Sequence, residues 1–164
     1  MKSNYVDRAR KFIKAIYPFL EENRYDFYKV NRAVKAFNKE KLRNVKFCNG
    51  AARFALLTSD YVIKWDRSVA ATRRYGGCKK EEERWRDFSQ TKFSSLFVPV
   101  FKIKECGCTW YVMPRITGQA PRCIAYHYLT LEEQRFFMDK HITDVHCGNF
   151  VLKRGRPLIF DYAG

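Results

Sequence analysis

The spacing of the apolar residues changes near residue 44, and this change limits the folds open to the chain. Residues 5–20 place apolar side chains three and four positions apart, and residues 25–38 repeat that spacing, which predicts two amphipathic helices. Beyond residue 44 the apolar residues form short runs bounded by turn residues, as is typical of strands. Such runs flank Ser59 and Asp60, which predicts a β-hairpin.

The rest of the chain continues this alternation of helical and extended patterns. The spacing predicts helices over 79–93 and 131–141, strands over 96–103 and 109–113, and a final hairpin with strands over 150–152 and 157–160. In the helix over 131–141 we expect Leu131, Met138 and either Phe136 or Phe137 to face inward. Two helices, three strands, a helix, two strands, a helix and two strands predict an α+β fold.

Composition limits the class of protein. The chain has 164 residues, of which 46% are apolar, enough for the core of one ordinary domain. It has no apolar run long enough to span a membrane and no secretion signal, so we expect a cytoplasmic protein. The six cysteines are scattered, which predicts reduced thiols. A zinc site could use Cys106, Cys108, His146 and Cys147 as ligands, but the spacing of these residues in the sequence matches none of the common pairs of zinc ligands.

The chain is strongly basic, with a net charge of +15 from 32 basic and 17 acidic residues. This predicts an anionic partner, which is an acidic protein, a nucleotide or a nucleic acid. The two basic helices are either a docking surface or packing helices with solvated outer faces. A nucleic acid would need aromatic side chains that stack on bases, although no nucleic-acid-binding motif is visible. The aromatic residues near basic ones are Tyr25, Phe27, Tyr28, Tyr75 and Trp85.

The last segment of the chain concentrates polar residues of one chemical kind. Asp144 and Asn149 lie on a predicted loop after a helix, and Asp161 ends the final hairpin. If the hairpin folds back, three oxygen-bearing side chains converge, and such ligands suit Mg²⁺. Asp144 is then left to orient or deprotonate an attacking hydroxyl.

This segment, D-x-H-x-G-N followed by a later Asp, resembles the catalytic loop and metal motif of protein-kinase-like phosphotransferases. The form with His two residues after Asp is most similar to that of aminoglycoside and choline kinases. The resemblance implies that Asp144 is the catalytic base, that Asn149 and Asp161 are metal ligands, and that ATP and Mg²⁺ are the cofactors.

The upstream segments follow the order of the same family. Residues 61–64, Tyr-Val-Ile-Lys, resemble the strand whose lysine grips the α- and β-phosphates, so the resemblance assigns that role to Lys64. The following helix should pair a glutamate with this lysine. Glu81 is the first choice, because it shares a helical face with Trp85 and Phe88, and Glu82 is the second.

The resemblance also places the nucleotide's adenine and phosphates. Met113 corresponds to the gatekeeper, and the carbonyl of Pro114 and the N–H of Ile116 would face the adenine edge. The turn that covers the phosphates would be formed by Asn49, Gly50, Ala51 and Arg53.

The resemblance extends over about residues 44–164 and implies three parts. These are basic helices over 1–40, an amino-terminal lobe over 44–116 with a five-stranded antiparallel sheet and an αC helix, and a strongly truncated carboxy-terminal lobe over 117–164. Three features depart from the family. The phosphate turn has one glycine. His141 stands three residues before Asp144 and not two as in eukaryotic protein kinases, and Thr143 replaces the usual Arg or Gly. The chain also stops soon after Asp161.

Truncation of this kind is similar to that of minimal kinase-like proteins of bacteriophages and bacterial effectors, and a phage origin would place the protein in a host cytoplasm. Two functions follow as expectations. One is a protein Ser/Thr kinase whose acceptor is held by a partner or by the basic helices. The alternative is a pseudokinase, an inactive binding module that engages an acidic protein or nucleic acid. The sequence leaves the oligomeric state open.

Overall fold

The computed structural model describes residues 3–68, 70, 73 and 77–162, so Tyr75 lies outside the described residues. Two compact units are present, one formed by Met1–Cys78 with Phe101–Arg115 and the other by Lys79–Val100 with Ile116–Gly164. In the described part of the chain, every helix is too short or too polar to cross a membrane.

The elements in chain order are helices α1 (Ser3–Leu20) and α2 (Phe27–Lys41), strands β1 (Lys46–Asn49), β2 (Arg53–Leu57) and β3 (Tyr61–Asp66), helix α3 (Cys78–Phe88), strands β4 (Phe101–Glu105) and β5 (Cys108–Pro114), helix α4 (Leu131–Asp139), and strands β6 (Phe150–Lys153) and β7 (Arg156–Ile159).

The first unit is built on a five-stranded antiparallel sheet in the order β1-β2-β3-β5-β4. The β2–β3 hairpin turns at Ser59 and Asp60, as the sequence predicts. The hydroxyl of Thr58 closes this turn by donating to the carbonyl of Tyr61 at 2.8 Å. The structure therefore confirms an α+β fold with a five-stranded antiparallel sheet.

Helices α1 and α2 belong to the same compact unit as this sheet and share its core. Helix α2 begins after Asp26, whose carboxylate accepts a hydrogen bond from the N–H of Lys29 at 3.0 Å. It ends where Leu42 adopts a left-handed φ of 49°. The side chain of Asn38 then bonds both the N–H and the carbonyl of Val45, at 3.0 and 2.8 Å, and so leads the chain into β1. Core residues shared by the helices and the sheet include Ile13, Ile16, Val34, Phe37, Phe54, Ile63, Trp65 and Trp110.

The second unit contains α3, α4 and the β6–β7 hairpin, packed around aromatic rings. The ring of Phe97 stacks on that of Phe137 with centroids 5.5 Å apart, and it meets Tyr162 edge-on at 5.2 Å. The hairpin turns at Arg154 and Gly155, whose φ values of 54° and 76° suit the tight turn that joins two twisted strands.

Two expectations about local structure are wrong. The predicted strand over 96–103 begins only at Phe101, because Val98 instead donates its N–H to the carbonyl of Ile159 at 2.8 Å. In α4, Leu131 and Met138 are 73% and 66% exposed, and Phe137 is the buried residue. Phe137 is the inward residue because its ring packs against those of Phe97 and Tyr126, with centroids 5.5 and 6.2 Å away.

Candidate functional site

The loop that carries the predicted base is held together by Asn149. The N–H of Asn149 donates to the carbonyl of His146 at 3.0 Å, which closes a tight turn. Its side-chain Nδ2 donates to the backbone carbonyl of Asp144, also at 3.0 Å, and the residue is only 7% exposed. Because Nδ2 is used in this way, Oδ1 is the atom of the Asn149 amide that can serve as a ligand.

The imidazole of His146 connects two members of the same loop. Its Nδ1 accepts a hydrogen bond from the N–H of Gly148 at 3.0 Å, and its Nε2 lies 3.4 Å from Oδ1 of Asp144. The acceptor role of Nδ1 assigns the proton of a neutral ring to Nε2, directed at the carboxylate. A Cβ at position 148 would lie 2.8 Å from the imidazole, so this contact requires glycine there. The spacing D-x-H-x-G-N thus has a local physical basis.

The segment that carries Asp161 lies against this loop. After the β6–β7 hairpin, the N–H groups of Phe160 and Asp161 both point at the backbone carbonyl of Asn149, at 3.0 and 3.4 Å. The two predicted metal ligands, Asn149 and Asp161, therefore lie on adjoining stretches of backbone in the second unit.

The donor set of this region suits a hard cation. Asn149 offers an amide oxygen and Asp161 a carboxylate, which is the type of ligand that Mg²⁺ accepts together with phosphate oxygens and water. Among the described residues, no group of three or more His, Cys, Asp or Glu side chains is placed to hold a metal ion. A cation bound here would thus need oxygens from phosphate and water in addition to those of Asn149 and Asp161.

Helix α3 presents Glu81 and Arg84 to the interior of the second unit. Glu81 is fully buried, whereas Glu82 and Glu83 are partly exposed, in agreement with the helical face on which Glu81 was placed. Its pairing with Lys64 stays a prediction. Arg84, one turn further along the helix, donates hydrogen bonds to the carbonyls of Tyr162 and His141, the second at 3.3 Å. Burial lowers the pKa of the Arg84 guanidinium.

The sequence did not indicate the contacts of Arg84. This residue ties α3 both to the segment before Asp144 and to the residue after Asp161. The signal that could have found it is its spacing of three from Glu81, which places the two residues on one helical face.

Tyr162, the residue after Asp161, is buried in the second unit. Its side chain is fully buried, and its hydroxyl donates to the carbonyl of Val98 at 2.8 Å. Burial raises the pKa of Tyr162 far above its ordinary value, and the carboxylates of Glu81 and Asp161 raise it further. Both carboxylates therefore lie near this phenol.

In the first unit, Lys64 lies on the face of the sheet opposite the helix-packed core. Cross-strand partners share a face, and Lys64 is paired with Ala55 on β2 and Tyr111 on β5. The neighbouring pair, Val62 with Met113, points the same way. Lys64 and Met113 are 8% and 2% exposed. The predicted phosphate-binding lysine and gatekeeper thus occupy one face of one sheet.

The predicted phosphate turn joins β1 to β2. Asn49, Gly50 and Ala51 are exposed, and Arg53 is partly buried at the start of β2. The N–H of Gly50 donates to the carbonyl of Arg53 at 2.8 Å, so that N–H is already used within the turn.

The predicted adenine-binding segment begins in the first unit and continues into the second. Pro114 ends β5 opposite Tyr61 and is partly exposed. Ile116, also partly exposed, belongs to the second unit. The roles of both residues stay predictions.

Comparison with known proteins gives a weak likeness to solved structures and none to families or curated proteins. The chain matches no protein-family model and no curated protein. A solved structure similar to part of it is described as a co-crystal structure of WbdD and the kinase inhibitor LY294002, with 17% sequence identity and a TM-score of 0.45. The matched region covers 72% of this chain and 32% of that one, so this chain spans about a third of its length. The sheet described above is compatible with the amino-terminal lobe of a kinase-like fold.

Proposed function

We propose that the chain is a phosphotransferase of the kinase-like type that uses ATP and Mg²⁺ and phosphorylates a Ser or Thr hydroxyl of a protein. The observation that carries the proposal is the double role of Asn149. Its side chain fixes the backbone of Asp144, and its backbone carbonyl receives the N–H groups of Phe160 and Asp161. Hydrogen bonds of Asn149, itself a predicted metal ligand, therefore join the predicted base to the second predicted ligand.

Each residue has a role in the proposed reaction. Lys64, with Glu81 as its predicted partner, would place the α- and β-phosphates. Asn149 and Asp161 would hold the cation, which would neutralise charge on the phosphates. Asp144 would accept the proton of the acceptor hydroxyl as that oxygen bonds to the γ-phosphorus, the bond from the γ-phosphorus to the β,γ-bridging oxygen breaks, and ADP leaves.

His146 orients the proposed base. The proton on its Nε2 faces Oδ1 of Asp144 at 3.4 Å, so it favours one orientation of the carboxylate. The other carboxylate oxygen of Asp144, Oδ2, can then receive the proton of the acceptor hydroxyl. This assigns His146 as a positioning residue for Asp144.

A thermal-shift titration with Mg-ATP tests the nucleotide site directly. ATP at about 100 times its Kd should raise the melting temperature by about 5–10 °C. Asp161→Ala should abolish the shift, because a ligand of the cation is lost. Asp139→Ala, which removes an exposed carboxylate at the end of α4 in the same unit, is the matched control and should keep it.

Transfer of radiolabelled γ-phosphate to a mixed pool of soluble proteins tests the chemistry. Asp144→Ala should bind Mg-ATP and lose about 10²–10⁴ in the rate of transfer. A stabilising shift without transfer by the wild type would reject phosphotransfer and retain nucleotide binding. If Asp144→Ala transferred phosphate at the wild-type rate, the assignment of the base would be wrong.

One observation favours a second function, that of a pseudokinase binding module. The internal hydrogen bond of Gly50 removes one N–H from the set that could cradle phosphate. Such a module would show no shift with Mg-ATP and no transfer, and would bind its partner equally well with Asp161→Ala. The two assays above therefore separate the two functions.

A further inference from the structure

A cleft of about 640 Å³ lies in the first unit, where α1 approaches the end of α2 and the β2–β3 turn. Its apolar floor is formed by aromatic rings. Phe12 meets Phe37 and Tyr61 edge-on, with centroids 5.4 and 6.2 Å apart. Ala15 and Val45 complete this floor.

The rim of the cleft is strongly basic. Arg8 and Lys11 come from α1, Lys41 and Arg43 come from the end of α2, and Asp60 is the single acidic lining residue. Arg8 is paired with Asp60 at 2.7 Å, and Lys41 pairs with the glutamate that precedes it. In the part of the chain that the structure describes, Lys11 and Arg43 make no ion pair. Two cations on two different elements are thus available to a ligand.

Contacts within the chain connect the walls of the cleft. The two hydrogen bonds between Asn38 and Val45 fix the connection that carries Arg43, and the Arg8–Asp60 ion pair ties α1 to the β2–β3 turn. The phenol of Tyr61 lies within this frame. Burial raises its pKa, and the nearby charges of Arg8 and Arg43 oppose the rise. A ligand would therefore meet a fixed surface rather than having to order one.

We propose that this cleft binds an acidic peptide segment of a partner protein, with one large apolar side chain on the aromatic floor and its flanking carboxylates at Lys11 and Arg43. Charge complementarity selects an anion, and the floor selects an apolar anchor between the charges. A nucleic acid fits less well, because Phe12 meets both neighbouring rings edge-on and no two rings form a parallel slot for a base. The proposal does not depend on phosphotransfer.

A labelled peptide with one tryptophan flanked on both sides by glutamates is the probe, measured by fluorescence anisotropy at physiological salt. Lys11→Glu combined with Arg43→Glu should weaken its binding at least about ten-fold, since two attractive charges become repulsive. Lys29→Glu combined with Lys35→Glu makes the same change in net charge on exposed positions of α2 outside the cleft. This control should weaken binding by less than about three-fold, because distant charges are screened.

Two further comparisons test the apolar floor. Ala15 is exposed within the cleft, so Ala15→Trp should fill the cleft without disturbing the core and abolish binding. A peptide with alanine in place of tryptophan should bind at least about ten-fold more weakly than the probe. Circular dichroism melts establish that each variant is folded.

Three results would overturn the proposal. Equal losses in the two charge-reversed pairs would mean that binding follows overall charge alone. Equal binding of the alanine peptide would remove the role of the floor. If single-stranded DNA displaced the probe and lost affinity with Ala15→Trp, the occupant would be a nucleic acid instead of a peptide.

Discussion

The side-chain amide of Asn149 donates a 3.0 Å hydrogen bond to the backbone carbonyl of Asp144, and this bond links the predicted metal ligand to the predicted base. The backbone carbonyl of Asn149 also receives the N–H of Phe160. One buried residue thus joins the loop after α4 to the end of the last hairpin. Substitutions at this position should affect both stability and the proposed chemistry.

Asn149→Asp should destabilise the protein by about 1–3 kcal/mol. The substitution removes the donor and places a carboxylate beside the carbonyl of Asp144 in a buried setting. Urea denaturation followed by circular dichroism measures the loss. Asn4→Asp adds the same charge at an exposed position and should change stability by less than about 0.5 kcal/mol. Equal stability of Asn149→Asp and the wild type would show that the hydrogen bond contributes nothing.

Gly118→Ala and Gly148→Ala should differ in their effects, although both crowd a neighbour. At Gly118 a Cβ would lie 2.7 Å from the carbonyl of Leu152 and 2.9 Å from Val151, so backbone must move, and we expect a loss of about 1–3 kcal/mol. At Gly148 the obstacle is the exposed ring of His146, which can swing away. Stability should then stay within about 1 kcal/mol of the wild type. Thermal melts of the two variants, side by side, make the comparison, and an equal loss in both would contradict it.

Removing a buried hydroxyl should have opposite signs at Tyr5 and Tyr162. The hydroxyl of Tyr5 is buried without a hydrogen-bond partner in the described structure, so Tyr5→Phe should stabilise the protein by up to about 1 kcal/mol. Tyr162→Phe leaves the buried carbonyl of Val98 without its donor and should cost about 1–2 kcal/mol. Matched urea titrations measure both changes, and a loss of stability in Tyr5→Phe would show that its hydroxyl has a partner.

The stability of the protein should fall in alkaline solution because the phenols of Tyr5 and Tyr162 are buried. Burial raises the pKa of Tyr5 to about 12 and that of Tyr162 further, whereas the unfolded chain titrates at about 10. Below pH about 10 both states are protonated and the full stability is present. Above it the unfolded chain releases protons that the folded one keeps, so stability falls as the pH rises, and the half-buried Tyr5 contributes less to this fall than the fully buried Tyr162. Denaturation between pH about 9 and 12 should show a shallower fall for Tyr5→Phe than for the wild type. Identical slopes would contradict the assignment.

Much of the element order follows from local patterns in the sequence. The turn at Ser59 and Asp60 and the hairpin around Gly155 are set by residues next to each other in the chain, so spacing alone predicts them. The burial of Glu81 likewise follows from its helical spacing to Phe88. In each case the deciding interactions lie within one element or one hairpin.

The features that the sequence did not reveal depend on distant partners. Val98 leaves the predicted strand because its partner is Ile159, far along the chain. Met138 faces solvent because the side chain of α4 that packs inward is Phe137, whose ring stacks on that of the distant Phe97. Arg84 was missed for the same reason, since its acceptors are backbone carbonyls at His141 and Tyr162.

The shared core of α1, α2 and the sheet has a practical consequence for finding a partner. A protein shortened to begin near residue 44 would leave Phe54, Ile63 and Trp110 in contact with water, and such an exposed apolar face favours aggregation. In pull-down experiments, the shortened protein would capture other proteins through nonspecific apolar contacts and would not identify a specific partner. The helices must stay in place, because their inner sides keep the sheet soluble and their outer sides carry the cations that a partner would meet.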